Sequence, residues 1–331
     1  EFSSLAEMAE DILAAYGSAV WKVNTKTEIQ IGLRYEYTNS KLSTTEDPNL
    51  VDRQYGSLFP SVFVSHSLNV DNTIQATFAR RIQRPQFSQL APFFIFSDPS
   101  TILTGNPELQ PSFSNNIRLA YQWKSVQLSL DYAYTDTPIS GYQPRVDLEE
   151  NTMILQPKNM INSHLVSSTL SFPLKLTDWW EIRSNWTVQW TEVIDEVDGD
   201  ELTLTNTQWN MNGASVFTLP KGFALEVSGR YFSANIAGPT KWASVNMIDI
   251  GIQKSFENNG GTLRFSVTDV FEGGSWFGTV DNDAVDFRYN GSYQVGERVF
   301  RISYARQFGK SSVKSARKRE TGSAEEQRRA N

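Results

Sequence analysis

The 331-residue sequence contains no cysteine and only two histidines, and both shortages exclude kinds of chemistry. Without cysteine the chain has no disulfide, no thiol nucleophile and no thiolate metal site. Two histidines, His66 and His164, leave little material for a histidine metal centre or a proton relay. The net charge of -7 argues against nucleic acid as a partner, because phosphate backbones are bound by basic surfaces. We therefore expect no cofactor, no metal and no nucleic acid.

Long hydrophobic runs are also missing. No stretch approaches about 18 consecutive apolar residues, so the sequence predicts neither a transmembrane helix nor a signal peptide. Spanning by strands stays open, because the strands of a closed barrel satisfy one another's backbone hydrogen bonds. The chain begins EFSSLAEM without an initiator methionine, and we expect it to be part of a longer protein.

Aromatic residues, by contrast, are abundant. The chain has 9 Trp, 12 Tyr and 20 Phe although its mean hydropathy is -0.40. Many of them fall near the ends of predicted strands, namely Trp21, Tyr35, Tyr37, Trp123, Trp179, Trp180 and Trp190. This placement is typical of the aromatic belts at membrane–water interfaces.

Apolar and polar residues alternate with a period of two through most of the chain. In TEIQIGLRYEYT, for example, Ile29, Ile31 and Leu33 alternate with Gln30 and Gly32. This period is that of a strand rather than of a helix, and the runs exceed the usual five or six residues. Because one face is apolar and the other densely charged, the pattern predicts an all-β fold, a transmembrane antiparallel up-and-down β-barrel with a polar interior.

We predict about 13 such strands. They lie at 11–24, 26–38, 54–69, 71–84, 113–124, 125–136, 160–173, 179–193, 202–218, 223–233, 244–256, 262–272 and 298–308, with 281–295 as a β extension of the last connection. Short connections alternate with longer ones at 39–53, 85–112, 137–151, 194–201, 233–243 and 273–297. Transmembrane barrels show this asymmetry between tight periplasmic turns and long outer loops.

The odd number of predicted strands and the point at which the alternation ends predict the domain organisation. The first strand runs inward and single-chain bacterial barrels have even strand numbers, so we expect the first strands of the barrel to precede residue 1. The alternation stops after Phe308, which assigns 1–309 to the barrel. Residues 310–331 are basic and poor in large apolar side chains, and we expect a disordered periplasmic tail there.

Candidate binding residues lie around the proline-rich connection at 85–112. Arg80, Arg81 and Arg84 form a basic cluster at the outer end of a strand. They are candidates for binding lipopolysaccharide phosphates or an anionic ligand, because guanidinium groups pair with such oxygens. Solvated charge at a barrel mouth is the alternative explanation.

Three phenylalanines in the same connection form a second candidate set. Phe93, Phe94 and Phe96 have the flat apolar rings that stack on a sugar or a chelator. Packing of the loop onto itself is the alternative, and it is the simpler explanation of three nearby rings.

Enzymatic and metal sites find little support. His66 lies beside serine in VSHSLN, as in outer-membrane phospholipases, but next to a predicted periplasmic turn. The run DEVDGDE contains Asp195, Asp198, Asp200 and Glu201, whose oxygens suit calcium, yet its spacing is not that of an EF-hand loop. A solvated hairpin tip explains this run more simply, and we expect no enzyme.

Several segments together resemble TonB-dependent outer-membrane receptors. GNPELQP at 105–111 is similar to their G-N-P-x-L-x-P segment, and GLRYEYT at 32–38 is similar to a recurrent strand motif. LRFSVTDVFEGG at 263–274 and FRISYARQFG at 300–309 resemble the last two strands, with Asp269 at the family's acidic position. LFPSVFVSHSLN resembles the Bacteroidetes branch, and the resemblance covers essentially the whole chain.

The resemblance implies a 22-stranded barrel around an N-terminal plug, of which this chain holds the last strands. It implies an outer-membrane location and active uptake of a scarce ligand: an iron chelate, cobalamin, an oligosaccharide or a peptide. The implied partners are outer-membrane lipid and lipopolysaccharide, the plug, the TonB system and a surface lipoprotein. Two other classes stay open, namely a plug-less passive channel of about 14 strands and a soluble β-rich binding protein.

Overall fold

The computed structural model describes residues 5–98, 100–147, 152–197, 200–237, 240–257, 260–282, 287–294 and 297–306. The tail predicted at 310–331 lies outside these residues. Helical structure within them is limited to α1, Phe87–Leu90, and a 3₁₀ turn at Pro220–Gly222. None of the helices in these ranges is long and apolar enough to cross a membrane.

Strands make up most of the described chain. In chain order they are β1 Ala6–Lys22, β2 Thr27–Thr44, β3 Val51–Asn69, β4 Asn72–Gln83, β5 Ile95–Asp98, β6 Thr101–Leu103, β7 Ser112–Trp123, β8 Val126–Asp136, β9 Gln143–Asp147, β10 Thr152–Gln156, β11 Asn162–Lys175, β12 Trp180–Val197, β13 Asp200–Leu219, β14 Phe223–Phe232, β15 Asn235–Ala237, β16 Thr240–Trp242, β17 Val245–Ser255, β18 Thr262–Thr268, β19 Ser275–Asn282, β20 Phe287–Gln294 and β21 Val299–Ala305.

Thirteen of these strands form one antiparallel sheet, which we call the wall. Its order is β1-β2-β3-β4-β7-β8-β11-β12-β13-β14-β17-β18-β21, so neighbours in the sheet follow one another along the chain. The predicted all-β, up-and-down architecture and its strand number are confirmed. The other eight strands form two sheets of four, β5-β6-β10-β9 and β15-β16-β19-β20, both built from the long connections.

Several wall strands are longer than the alternation indicated. β1 begins at Ala6, β2 continues to Thr44, and β12 and β13 leave only residues 198–199 between them. The added stretch of β2, NSKLST, has polar residues on both faces, and the stretches added to β1, β12 and β13 carry acidic residues. Such two-sided polar strands lack the apolar alternation that marks a strand with one buried face, so they look like loops in the sequence.

The two faces of the wall differ in chemistry, and we call them the apolar face and the polar face. Residues that lie side by side on the apolar face include Phe78, Ile117, Tyr132 and Val166, and those beside them on the polar face include Thr77, Arg118, Asp131 and Ser167. Apolar side chains such as Leu33 (52% exposed) and Ile302 (74% exposed) have no covering layer in the described chain. An apolar surface this large requires apolar surroundings.

The two ends of the wall differ in their connections. At one end, the turn end, short turns join the strands, and at the other, the loop end, the long connections emerge. Aromatic rings gather at the turn end, where Trp180 stacks on Phe217 at a centroid distance of 5.7 Å and on Trp179 at 6.2 Å. Gly261 adopts φ +84° in a turn there, a conformation that favours glycine.

Among the residues that the structure describes, the one compact cluster of buried apolar side chains lies at the loop end. Leu42, Val51, Leu90 and Leu109 form it on the polar face, where the connection between β4 and β7 folds back against β2 and β3. The apolar residues of the wall itself do not contribute to a second core, since they point to the opposite face. The fold therefore has two separate apolar regions, namely the exposed apolar face of the wall and the small buried core at the loop end.

The two edges of the wall run in the same direction. β1 and β21 are the first and thirteenth strands of an alternating antiparallel sheet, and the described pairings do not join them. Two parallel edges cannot close an antiparallel barrel with each other. An all-antiparallel barrel has an even number of strands, so closure in that form would place an odd number of further strands between these edges.

Candidate functional site

The predicted arginine cluster is divided between the two faces of the wall. Arg80 pairs in register with Asn115 and shares the apolar face with Phe78, and its guanidinium lies 5.1 Å from the ring centroid of Phe113. Arg81 pairs with Ser114 and lies exposed on the polar face. Adjacent positions of a strand point to opposite faces, so these two arginines cannot bind one ligand together.

Arg84 is buried just beyond the end of β4. It donates to Glu36 at 2.6 Å, to the hydroxyl of Thr38 at 3.0 Å and to the hydroxyl of Tyr55 at 3.2 Å. Glu36 also accepts from Arg34 at 2.5 Å. Burial alone lowers the pKa of Arg84, but its bonds and charge attraction to Glu36 and Tyr55 hold this pKa above its usual range. These contacts direct the guanidinium towards the wall.

A second arginine holds the far end of the same connection. Arg53, on β3, donates to the backbone carbonyls of Pro107, at 2.5 Å, and of Leu109. The side chain of Leu109 is fully buried against Leu42 and Val51. The segment from Arg84 to Leu109 is thus fixed to the polar face by an arginine at each end and an apolar cluster between them.

The GNPELQP motif owes its residues to close packing. A Cβ on Gly105 would lie 2.2 Å from the carbonyl oxygen of Ala91, so only glycine fits. Asn106 closes a turn by accepting from the amide of Glu108 at 2.9 Å, and its side-chain amide donates to the carbonyl of Pro157 at 3.0 Å. The motif that supports the family resemblance is therefore a structural junction in this chain.

Residues 156–159 complete this junction from the next long connection. The side-chain amide of Gln156 donates to the carbonyl of Gly105 at 2.9 Å. Asn159 donates to the carbonyls of Gln110, at 3.0 Å, and Thr137, at 2.8 Å, and accepts from the amide of Gln110 at 2.7 Å. Two loops that are distant in sequence are joined here into one body.

The three candidate phenylalanines have different surroundings. Phe93 is half-buried and meets Phe87 edge-to-face at a centroid distance of 6.1 Å. Phe94 is 67% exposed and Phe96 is 62% exposed, the latter on the edge strand β5. Packing explains Phe93, whereas Phe94 and Phe96 present their rings outward on the fixed loop.

The remaining candidates occupy structural positions. Asp195 is buried and pairs with Lys158 at 2.6 Å, while Asp198 lies outside the described residues. His66 shares a hydrogen bond of 2.8 Å with the Thr27 hydroxyl at the turn end. His164 shares one of 2.9 Å with the hydroxyl of Tyr132.

Asp269 closes a tight turn after β18, as its place in the motif suggested. Its carboxylate accepts from the amides of Gly273, at 2.9 Å, and Gly274, at 2.8 Å, and its own φ is +50°. Within the described ranges, no three acidic or histidine side chains come together in an arrangement suited to a metal ion.

The polar face of the wall carries a series of exposed ion pairs. They are Arg118–Asp131, Arg183–Glu181 at 2.7 Å, Arg230–Asp249 at 3.5 Å and Arg264–Glu226 at 3.1 Å. The first three join residues of the same or adjacent strands, whereas Arg264–Glu226 reaches from β18 to β14 across β17. A face of this kind is suited to water or to a polar protein surface, and not to lipid.

Sequence reasoning missed Arg53, Asn106, Gln156 and Asn159. The contacts of Arg53 and Gln156 with the 105–111 segment span more than 50 residues, which no local pattern reveals. The one available signal was the motif itself, since glycine and asparagine beside proline mark a built turn.

Comparison with known proteins defines the class to which this arrangement belongs. The model of the Outer membrane protein beta-barrel family matches residues 1–305. The chain therefore belongs to this family, and its location is the outer membrane. The apolar face is accordingly the lipid-facing surface, and in barrels of this kind the long loops lie at the outer end. This finding excludes the soluble β-rich binding protein.

Solved outer-membrane receptors share the fold. The siderophore receptor PirA from Pseudomonas aeruginosa matches with a TM-score of 0.55 and 14% identity, over 87% of this chain and 56% of PirA. A mutant of the ferric enterobactin receptor PfeA, from the same organism, matches with 0.53 and 18%, over 80% and 40%. The ferric-catecholate import receptor Fiu from E. coli K12 matches with 0.59 and 13%, over 90% and 44%.

These identities show a common fold alone. The chain spans between 40% and 56% of the length of these three receptors, so it corresponds to about half of each. A search of curated proteins finds no significant match.

Proposed function

We propose that the chain forms the wall and outer loops of a TonB-dependent receptor that actively takes up a scarce ligand. The observation that carries this proposal is the parallel orientation of β1 and β21, which supports a larger barrel because an antiparallel barrel has an even number of strands. The similar solved structures are those of the receptors PirA, PfeA and Fiu, of which this chain spans only about half. In this proposal the polar face surrounds a plug, and TonB acts on that plug.

We further propose that the outward-facing rings of Phe94 and Phe96, with Arg81 on the polar face, contact the ligand at the outer mouth. This proposal is supported by the exposure of Phe94 and Phe96 on a loop that Arg53 and Arg84 hold in place. A preformed, rigid contact surface binds with less entropic cost than a disordered loop. The candidate ligands are an iron chelate, cobalamin, an oligosaccharide or a peptide.

A passive channel of about 14 strands is the second candidate. One feature of the wall favours the channel, because a single additional strand between β1 and β21 would give an even number of strands. The two candidates differ in their need for energy. Active uptake requires TonB and continues against a gradient, whereas a channel only equilibrates its solute.

The test is uptake by cells that express the full-length protein. We would measure accumulation of a panel of labelled ferric chelates, cobalamin, oligosaccharides and peptides, with and without TonB and with an uncoupler. Accumulation that depends on this protein and is lost without TonB supports the receptor. Entry that depends on this protein, needs no TonB and stops at equal concentrations overturns it in favour of the channel.

A further inference from the structure

The wall opens laterally between β3 and β4 at the outer end. β4 pairs with β3 only between Ser61 and Asn69, whereas Val51 to Pro60 have described pairings with β2 alone. Pro60 has no N–H to donate, and the ladder to β4 ends beside it. β4 nevertheless continues along β7 as far as Gln83. The two halves of the wall therefore diverge above this proline.

A cavity of about 610 Å³ occupies this opening. Its chemistry is mixed, with a guanidinium, two carboxylates, two amides and a ring among the lining residues Arg80, Asp52, Asp136, Gln54, Gln110 and Phe113. The volume lies within the range of small-molecule sites. Asp52 and Gln54 belong to the lipid-facing positions of β3, whereas Arg53 and Tyr55, which also line the cavity, belong to the polar face. The cavity therefore lies in the gap between the strands and borders the lipid-facing side at Asp52 and Gln54.

The height of the opening can be read from the strand. Arg80 is the ninth residue of β4, which begins at Asn72 at the turn end. A tilted strand crosses the hydrocarbon in about 9–11 residues. Below Arg80 on the same face lie the apolar Phe78 and Ile74. Arg80 therefore stands where hydrocarbon gives way to the headgroups of the outer leaflet.

Arg80 is a cation on a lipid-facing position that the described chain does not neutralise. Its one described contact is the ring of Phe113, which supports one side of the guanidinium. Across the described residues, ion pairs involve Arg34, Arg84, Arg118, Arg183, Arg230, Arg264 and Arg298, but none of them involves Arg80. Asp52, at the far side of the opening, pairs with Lys41 at 3.6 Å.

We propose that this cleft binds the phosphorylated sugar headgroup of an outer-leaflet glycolipid. Arg80 pairs with the phosphate, because a guanidinium donates two parallel hydrogen bonds to such a group. The carboxylates of Asp52 and Asp136 and the amides of Gln54 and Gln110 bind sugar hydroxyls. The acyl chains lie along Phe78 and Ile74. This site depends on the outer-membrane location and is independent of any uptake activity.

The test compares neighbouring arginines in the full-length protein, reconstituted in nanodiscs of phosphatidylcholine that contain phosphorylated lipid A. Bound lipid A is counted by native mass spectrometry. Arg80→Ala should reduce binding about tenfold, as expected for loss of a charged hydrogen-bonding pair. Arg81→Ala, one residue away on the opposite face, should leave it unchanged. Arg80→Lys should retain part of it.

Two further arms define the chemistry and its source. Lipid A stripped of phosphate should bind to the unmodified protein as weakly as phosphorylated lipid A binds to the Arg80→Ala variant. The deacylated phosphorylated disaccharide, titrated in detergent, should compete with lipid A for the cleft. The difference between its affinity and that of lipid A measures the contribution of the acyl chains. Equal binding by the Arg80→Ala and Arg81→Ala variants, or equal binding with and without phosphate, would overturn the proposal. Folding of each variant is checked by its heat-modifiable gel mobility.

Discussion

Three arginines within five residues, Arg80, Arg81 and Arg84, have three different environments. The strand period sends Arg80 to the lipid side and Arg81 to the interior, while Arg84 follows the end of β4 and turns into a buried network. In the sequence they look alike, since all three are basic residues at a strand end. Only the partners on β2, nearly 50 positions away, distinguish Arg84.

Replacement of Arg84 by alanine should be the most destabilising of the three. It leaves Glu36 and Thr38 buried without their main donor, and breaking a buried charge pair costs about 3–5 kcal/mol. The residual pair with Arg34 should keep the loss near the lower end of that range. Chemical unfolding of the full-length protein in detergent measures the free energy change.

The matched control is Arg34→Ala, which removes the other cation from Glu36. The Arg34 side chain is 44% exposed against 5% for Arg84, and exposed pairs contribute about 0–1 kcal/mol. Equal losses for the two variants would show that Arg84 does not anchor the loop.

Gly105 offers a steric test of the same junction. In Gly105→Ala the new methyl group would lie 2.2 Å from the Ala91 carbonyl oxygen, and relief of such overpacking costs about 1–3 kcal/mol. We expect a lower Tm and faster proteolysis within 85–111. Gly141→Ala is the control, because nothing lies within 4 Å of a Cβ there. Unchanged proteolysis in Gly105→Ala would contradict the proposed close packing.

At the scale of the strand, the two-faced pattern is the feature that the sequence predicted best. Leu128 shares the lipid-facing surface with Tyr121 and Leu170, and Gln127 shares the polar face with Gln122 and Ser171. The alternation alone assigned these positions correctly, because a period of two leaves no other placement. It could not show the loops, where contacts between Arg53 and Leu109 or between Asn159 and Gln110 depend on the whole fold.

Leu128→Arg and Gln127→Arg form a matched pair for these faces. Leu128 is the third residue of β8 from the turn end, between the interface, where an arginine on the lipid face costs about 0–1 kcal/mol, and mid-depth, where it costs about 2–4 kcal/mol. An arginine on the polar face should cost little. Folding of the full-length protein into lipid vesicles, followed by urea titration, measures both. Equal stability of the two variants would mean that the apolar face does not meet lipid.

The strand boundaries show where such reasoning stops. The outer parts of β2, β12 and β13 extend beyond the predicted ends, through residues such as Ser40, Asp195 and Glu201. Above the membrane both faces of a hairpin meet polar surroundings, so composition no longer separates strand from loop. Backbone pairing maintains these strands, and pairing leaves no local mark on the sequence.

At the scale of the whole molecule, the two edge strands of the wall have no pairing with each other in the described residues. β1 presents an edge of 17 residues and β21 one of 7, and both point in the same direction. Backbone groups without partners cost several kcal/mol each in hydrocarbon. We expect the 331-residue chain expressed alone to fail to insert into vesicles, and resistance of its strands to protease in that setting would contradict this.

The most direct measurement is the structure of the full-length protein in nanodiscs by electron cryomicroscopy. We predict that β1 and β21 do not pair with each other and that each pairs with a further strand. We also predict a barrel of about 22 strands in total and a folded plug that contacts the ion pairs of the polar face. A backbone ladder between β1 and β21, or a barrel of 14 strands with an empty interior, would contradict the proposed receptor.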